Sequence, residues 1–219
     1  MMLRLGAAGG QPVRRVLAIG AHSDDLEIGC GGTLLALCRA EPRVSVHWVV
    51  LAAPGERGDE ARESASALLA GVEDQTVEIH SHRDGYLPHT AAEVKDVFEE
   101  LKAHFDPELV LTHARDDLHQ DHRLVCELTW NTFRDHLILE YEIPKWDGDV
   151  GRPNVYIPLS EELVHDKLEI LSTHFGSQSG KHWFDGDLFR GLMRIRGMEC
   201  RAPSGFAEAF FGRKLTLEL

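Results

Sequence analysis

Basic side chains are scarce in this chain. Its 219 residues carry 23 Lys and Arg against 36 Asp and Glu, a formal net charge of −13. Nucleic acid is therefore not an expected partner, because a phosphate backbone rewards clustered Lys and Arg. A small anionic substrate stays open, since local charge in a cleft can oppose the global sign. Cysteine is sparse too. Cys30, Cys38, Cys126 and Cys200 form no C-x-x-C pair, so neither a zinc finger nor a disulfide framework is expected, and the four read as reduced core residues. No apolar run reaches the roughly 18 residues that a transmembrane segment needs. The Met1 to Pro12 stretch lacks the pattern of a secretory leader, which makes a cytoplasmic location the default expectation.

The length suits one domain spanning residues 1–219 with a sizeable core. Short β-branched or apolar runs at 13–19, 44–51, 76–79, 108–112 and 137–143 read as strands. Segments 29–39, 59–70, 91–105 and 121–133 read as helices, the third with apolar residues at Val94, Val97, Phe98, Leu101 and Phe105. Alternating strands and helices predict an α/β, Rossmann-like, mostly parallel sheet of order 3-2-1-4-5 with helices on both faces. The last third is less regular. It predicts C-terminal additions: strands at 154–158 and 206–217, helices at 161–171 and 187–196, and a loop at 176–186.

Two runs rich in histidine and aspartate stand out. Ala21-His22-Ser23-Asp24-Asp25-Leu26-Glu27 follows the first strand, and His119-Gln120-Asp121-His122 follows the fourth. Open α/β sheets bind ligands beyond the carboxyl ends of their strands where strand order reverses. Strands one and four flank that point, so both runs face one crevice. Catalytic zinc takes about three protein ligands and keeps one position open. His22 and Asp25, in a tight turn, and His122, near a helix start, can supply three. Asp24 is then free to act as general base on a water. His119, when protonated, can donate to an oxyanion or a leaving nitrogen. Asp121 can orient an imidazole, Glu27 can brace the turn, and His113 can sit behind the site. Capping of the two following helices is the competing reading for Asp24, Asp25 and Asp121.

Residues 21–33, Ala-His-Ser-Asp-Asp-Leu-Glu-Ile-Gly-Cys-Gly-Gly-Thr, resemble the first signature of the PIG-L/LmbE-like deacetylases, A-H-P-D-D-x-E followed by Gly-Gly, with Ser23 in place of the commonest proline. His119-Gln120-Asp121-His122 resembles their second, H-x-D-H. The resemblance implies a Rossmann-like fold and a divalent metal, usually zinc, with another such as Fe2+ as an alternative. It implies hydrolysis of an N-acyl group, most often acetyl on an N-acetylglucosamine unit. An amidase acting on another N-acyl or thiol-conjugate substrate is the nearer alternative, and a non-catalytic sugar- or metal-binding module the farther one. By position, His22, Asp25 and His122 correspond to metal ligands, Asp24 to the base and His119 to the group that stabilises the intermediate. Arg62, in Arg62-Glu63, and Asp84, after strand three, correspond to sugar contacts, with Arg57 competing for the role of Arg62. Relatives of this kind often form homo-oligomers.

Overall fold

The computed structural model describes residues 12–40 and 43–215. The leader expectation rests on Met1 to Pro12, of which residues 1–11 lie outside the described residues, as do positions 216 and 217 of the expected final strand.

Among the described residues, seven strands form one sheet in the order β3-β2-β1-β4-β5-β7-β6. The first five are β1 (Arg15–Gly20), β2 (Ser45–Val50), β3 (Gln75–Ile79), β4 (Leu109–His113) and β5 (Leu137–Tyr141), all paired in parallel. The expected 3-2-1-4-5 order holds. Along β1, side chains alternate between the two faces, as strand geometry requires. Val16 and Ala18 join a core with Leu26 and Leu34 of α1 (Asp25–Arg39), Ala65 and Leu68 of α2 (Glu56–Leu68) and Leu171 of α5 (Glu161–His174). Leu17 and Ile19 join a second core with Val94, Phe98 and Leu101 of α3 (Ala91–His104) and Val125 and Leu128 of α4 (Gln120–Thr132). Covered on both faces, β1, β2 and β4 read as continuous apolar runs.

The C-terminal additions depart from the parallel pattern. β7 (Phe206–Phe211) inserts between β5 and β6 (Val155–Leu159), antiparallel to both. It buries Ala207, Ala209 and Phe210 beside β5, and leaves the half-exposed β6 as the edge. The segment expected as a loop at 176–186 holds a single 3-10 turn, Gly176–Gln178, before α6 (Gly186–Cys200).

The first helix also departs from expectation. It begins at Asp25 rather than Gly29, and it is broken at Cys30, whose φ of −145° and ψ of 16° are not helical. In the first turn, Asp25, Leu26, Glu27 and Ile28 alternate polar and apolar, which gives no helical period. β1 and β4 are parallel neighbours, so the turn after β1 and the start of α4 lie side by side at one edge of the sheet.

Candidate metal centre

The centre is built from two turns. After β1, the Asp25 carboxylate accepts the backbone N–H of His22 at 2.6 Å, which folds the turn on itself. Asp24 is the N-cap residue of α1, yet its side chain makes no capping bond. After β4, the cap of α4 is His119, whose Nδ1 accepts the N–H of Asp121 at 3.3 Å. Asp121 accepts from the backbone N–H of Gly85 and Leu87 instead. The capping reading thus fails for Asp24, Asp25 and Asp121.

The imidazoles have their outer nitrogens engaged. His22 Nε2 faces Asp84 Oδ1 at 3.1 Å and Asp121 Oδ2 at 3.2 Å. His122 Nδ1 faces Asp117 Oδ2 at 2.9 Å. Carboxylate partners place the ring protons on those nitrogens and turn the lone pairs of His22 Nδ1 and His122 Nε2 inward. These two inner nitrogens are 3.1 Å apart. Asp25 completes the triangle, with Oδ2 at 3.4 Å from His22 Nδ1 and Oδ1 at 3.5 Å from His122 Nε2. Tetrahedral zinc with bonds of about 2.0–2.1 Å has ligand–ligand edges of roughly 3.3–3.4 Å. The donor set therefore matches a small divalent cation in residue type, with a different Asp25 oxygen facing each nitrogen.

The electrostatics agree. Burial opposes charge on His22, but Asp25, Asp121 and Asp84 together outweigh it and raise its pKa well above the usual histidine value. Three acidic groups thus favour a proton on His22, one that a bound cation would have to displace. His122 is the reverse case. Burial, reinforced by His113, pushes it down to about 3, so it stays neutral, the form that ligates. Asp25 is held well below the carboxylate range. Burial acts against this shift, and His122, His113 and His22 overcome it.

Three further donor groups share these residues: His22, His119 and His122; Asp25, His113 and His122; and His22, Asp84 and Asp121 on the outer side of the His22 ring. In the first, His119 Nδ1 is occupied as the cap of α4, which leaves Nε2–H as its second ring position. In the second, His113 Nε2 already faces the Ala21 N–H at 2.9 Å and Asp25 Oδ2 at 3.1 Å. His113 therefore lies behind Asp25, against the turn.

Asp24 sits beside this triangle. Its Oδ1 pairs with Arg57 at 2.9 Å, while its Oδ2 is buried with no hydrogen-bond partner among the described residues. Burial raises its pKa, against the pull of Arg57. Arg57 also reaches Glu60 and Ser177. Arg62 is not brought to the site. It pairs with Asp59 on its own helix and is largely exposed. Five residues turn a helix by about 140° beyond a full turn, so Arg57 and Arg62 face different directions. Asp84 does arrive, bonded to His22 and mostly open to solvent. Glu27 lies in the α1–α2 interface, where it accepts from Ser64 Oγ, and touches none of the three inner donors.

The sequence analysis missed Asp117 and Lys145. Asp117 orients His122, and Lys145, from beyond β5, holds Asp117 at 2.9 Å. Asp117 carried one signal, an acidic residue five positions before a candidate ligand. Lys145 carried none.

Fold and site together define an α/β protein with a buried histidine–carboxylate cluster at the switch point of a parallel sheet. A family model described as PIG-L, GlcNAc-PI de-N-acetylase, matches residues 17–133, more than half of the chain. The chain belongs to this family of deacetylases. It is similar to the uncharacterized deacetylase YaiS of Escherichia coli (strain K12), 29% identical over 167 residues, covering 73% of this chain and 89% of that protein. In fold it resembles N,N'-diacetylchitobiose deacetylase from Pyrococcus horikoshii, with a TM-score of 0.67 at 20% identity over 90% of this chain and 83% of that one. It also resembles GalB, the 4-carboxy-2-hydroxymuconate hydratase from Pseudomonas putida KT2440, with a TM-score of 0.65 at 18% identity over 94% and 99%. Likeness at this level shows the fold alone, so the reaction has to be argued from the site.

Proposed function

We propose that the chain is a metal-dependent hydrolase that removes the N-acetyl group from an N-acetylated amino sugar or sugar conjugate. The observation that carries this reading is the convergence of His22 Nδ1, His122 Nε2 and the Asp25 carboxylate within 3.1–3.5 Å of one another. Beside them stands a buried carboxylate oxygen, Asp24 Oδ2, with no partner. A binding module has no use for that free oxygen. A hydrolase needs it.

His22, Asp25 and His122 would hold the metal, with zinc the best match to two nitrogens and a carboxylate and Fe2+ a competitor. When bound, the cation would polarise the acetyl carbonyl and acidify a water. Asp24 Oδ2 would take a proton from the water whose oxygen attacks the carbonyl carbon. Arg57 keeps the other oxygen of Asp24 fixed. Burial, reinforced by the charge of His22, lowers the pKa of His119. His119 therefore serves as a neutral Nε2–H donor to the carbonyl oxygen as negative charge grows there. This differs from the protonated role expected from sequence. The proton for the leaving amine then comes back from Asp24, and acetate and a free amine result. Asp121 and Asp117 orient the two imidazoles, and Asp84, with an oxygen open to solvent, receives a sugar hydroxyl. Glu27 braces α1 against α2. One domain, residues 1–219, would hold every group the reaction uses. Among the described residues no helix is long and apolar enough to cross a membrane, and all four cysteines are free thiols, which supports a cytoplasmic setting.

The test is acetate release from a panel of N-acetylated sugars by the zinc-loaded protein, set beside an Asp24→Asn variant. The variant should keep its zinc and lose turnover by about 10²–10⁴-fold. Full activity in it would sink the base assignment, and an inactive parent across the whole panel would sink the substrate class.

A further inference from the structure

The break in α1 at Cys30 has unusual partners. In an unbroken helix the N–H groups of Gly32 and Thr33 would donate to the carbonyls of Ile28 and Gly29. Here both donate to the Glu208 carboxylate on β7, at 2.8 and 2.7 Å. The Ile28 carbonyl accepts from Lys167 Nζ on α5 at 2.6 Å. Lys167 and Glu208 bond to each other at 2.7 Å, and their side chains are 2% and 3% exposed. An ion pair is thus inserted into the hydrogen-bond ladder of the helix, a recognised cause of sharp kinks.

The glycines around the break make this approach feasible. A Cβ at Gly32 would stand 2.5 Å from a Leu159 methyl and 3.1 Å from Glu208 Oε1. A Cβ at Gly29 would stand 2.2 Å from the Tyr141 ring, whose hydroxyl donates to the Ile19 carbonyl at the end of β1. The short segment between β1 and the break carries His22, Asp24 and Asp25. It is gripped from below by Tyr141 and at its far end by Lys167 and Glu208.

A buried ion pair contributes little net stability compared with an apolar substitute of similar volume, because both charges lose their hydration. Its value here is directional. We propose that Lys167 and Glu208 are positioning residues for the metal centre. By replacing the ladder bonds lost at Cys30, they set the angle at which the His22–Asp25 turn meets His122. This rests on the metal reading above. It gives a role to the Ala207-Glu208-Ala209-Phe210 stretch and to α5, both far from the centre in sequence.

The single variants leave one buried charge unpaired and are expected to fold poorly, so the informative protein is Lys167→Met with Glu208→Gln, which removes both charges at once. It is expected to fold and melt within a few degrees of the parent. In the metal-free state, amide hydrogen exchange should speed up at residues 22–33 and stay unchanged in β2, β4 and α4. Zinc affinity, read by competition with a chromophoric chelator, should fall at least tenfold, and kcat should fall at least tenfold with KM within about twofold. A folded double variant that keeps parental zinc affinity and kcat overturns the proposal, as does unchanged exchange at residues 22–33. If the parent itself takes up no zinc, the metal reading fails and the proposal falls with it. The two failures are distinguished by which protein shows the defect.

Discussion

Burial pushes the carboxyls of Asp24 and Asp25 in the same direction, upward, and their neighbours divide them. Asp25 faces three imidazoles and ends well below the usual range; Asp24 faces a single Arg57 and stays raised. The same division holds for the histidines, since His122 has a carboxylate behind it and His119 caps a helix. Partners behind a ligand usually matter by 10- to 100-fold in metal affinity. Asp117→Asn should therefore weaken zinc binding by about that factor in a chelator competition, while His122→Ala should abolish stoichiometric binding. At the rim, Arg57→Met should lower kcat by roughly tenfold with zinc retained, because the base loses its only fixed partner. Arg62→Met should leave kcat and KM within about twofold, and a larger loss there than at Arg57 would return the substrate role to Arg62. The candidate donors could be named from sequence because ligand chemistry is written in residue type. Arg57 against Arg62 was not settled, because that choice depends on the direction of the first turn of α2.

Among the elements, α1 and α2 are joined by the buried Glu27, which accepts from Ser64 Oγ and has a second oxygen without a partner. Burial pushes Glu27 from 4.5 up to about 8. The folded state therefore holds this proton more tightly than the unfolded chain does. Its contribution to stability is full below about pH 4.5 and is lost as pH rises through about 8, a span worth on the order of a few kcal/mol. Melting of the metal-free protein at pH 5 and pH 9 should show that loss, and Glu27→Gln should shrink the difference. An equal pH dependence in parent and variant would refute the assignment. Helices α3 and α4 were readable because their apolar stripes have a clear period. The start of α1 was not, since Asp25, Leu26, Glu27 and Ile28 alternate polar and apolar with no helical period, and the break at Cys30 depends on groups from α5 and β7.

For the whole molecule, metal bound only by the folded state adds stability by mass action, about 4 kcal/mol at a thousandfold excess over Kd. In a chain of this size that is a rise in Tm of roughly 10 °C. Chelator should remove the rise, added zinc should restore it, and His122→Ala should show no response to either. A parent whose Tm ignores zinc would contradict the metal reading. The strand order around the switch point followed from alternating strands and helices alone, because right-handed crossovers leave few arrangements. The position of β7 did not follow, since an antiparallel strand arriving from α6 can add at an edge or insert, and only packing beside β5 decides.

The sequence by itself determined the donor types, their placement after the first and fourth strands, and the parallel core that brings those strand ends together. These properties depend on local period and residue chemistry, both of which can be read within a dozen residues. Only the tertiary structure decided which nitrogen of each imidazole faces the centre, which arginine reaches Asp24, and that Asp117, Lys145, Lys167 and Glu208 stand behind the two turns. Apart from Asp117 to His122, those choices are made by hydrogen bonds across tens to more than a hundred residues, as in Thr33 to Glu208. Buried polar groups take whichever partners the packed fold brings within reach, and spacing along the chain carries no record of that reach.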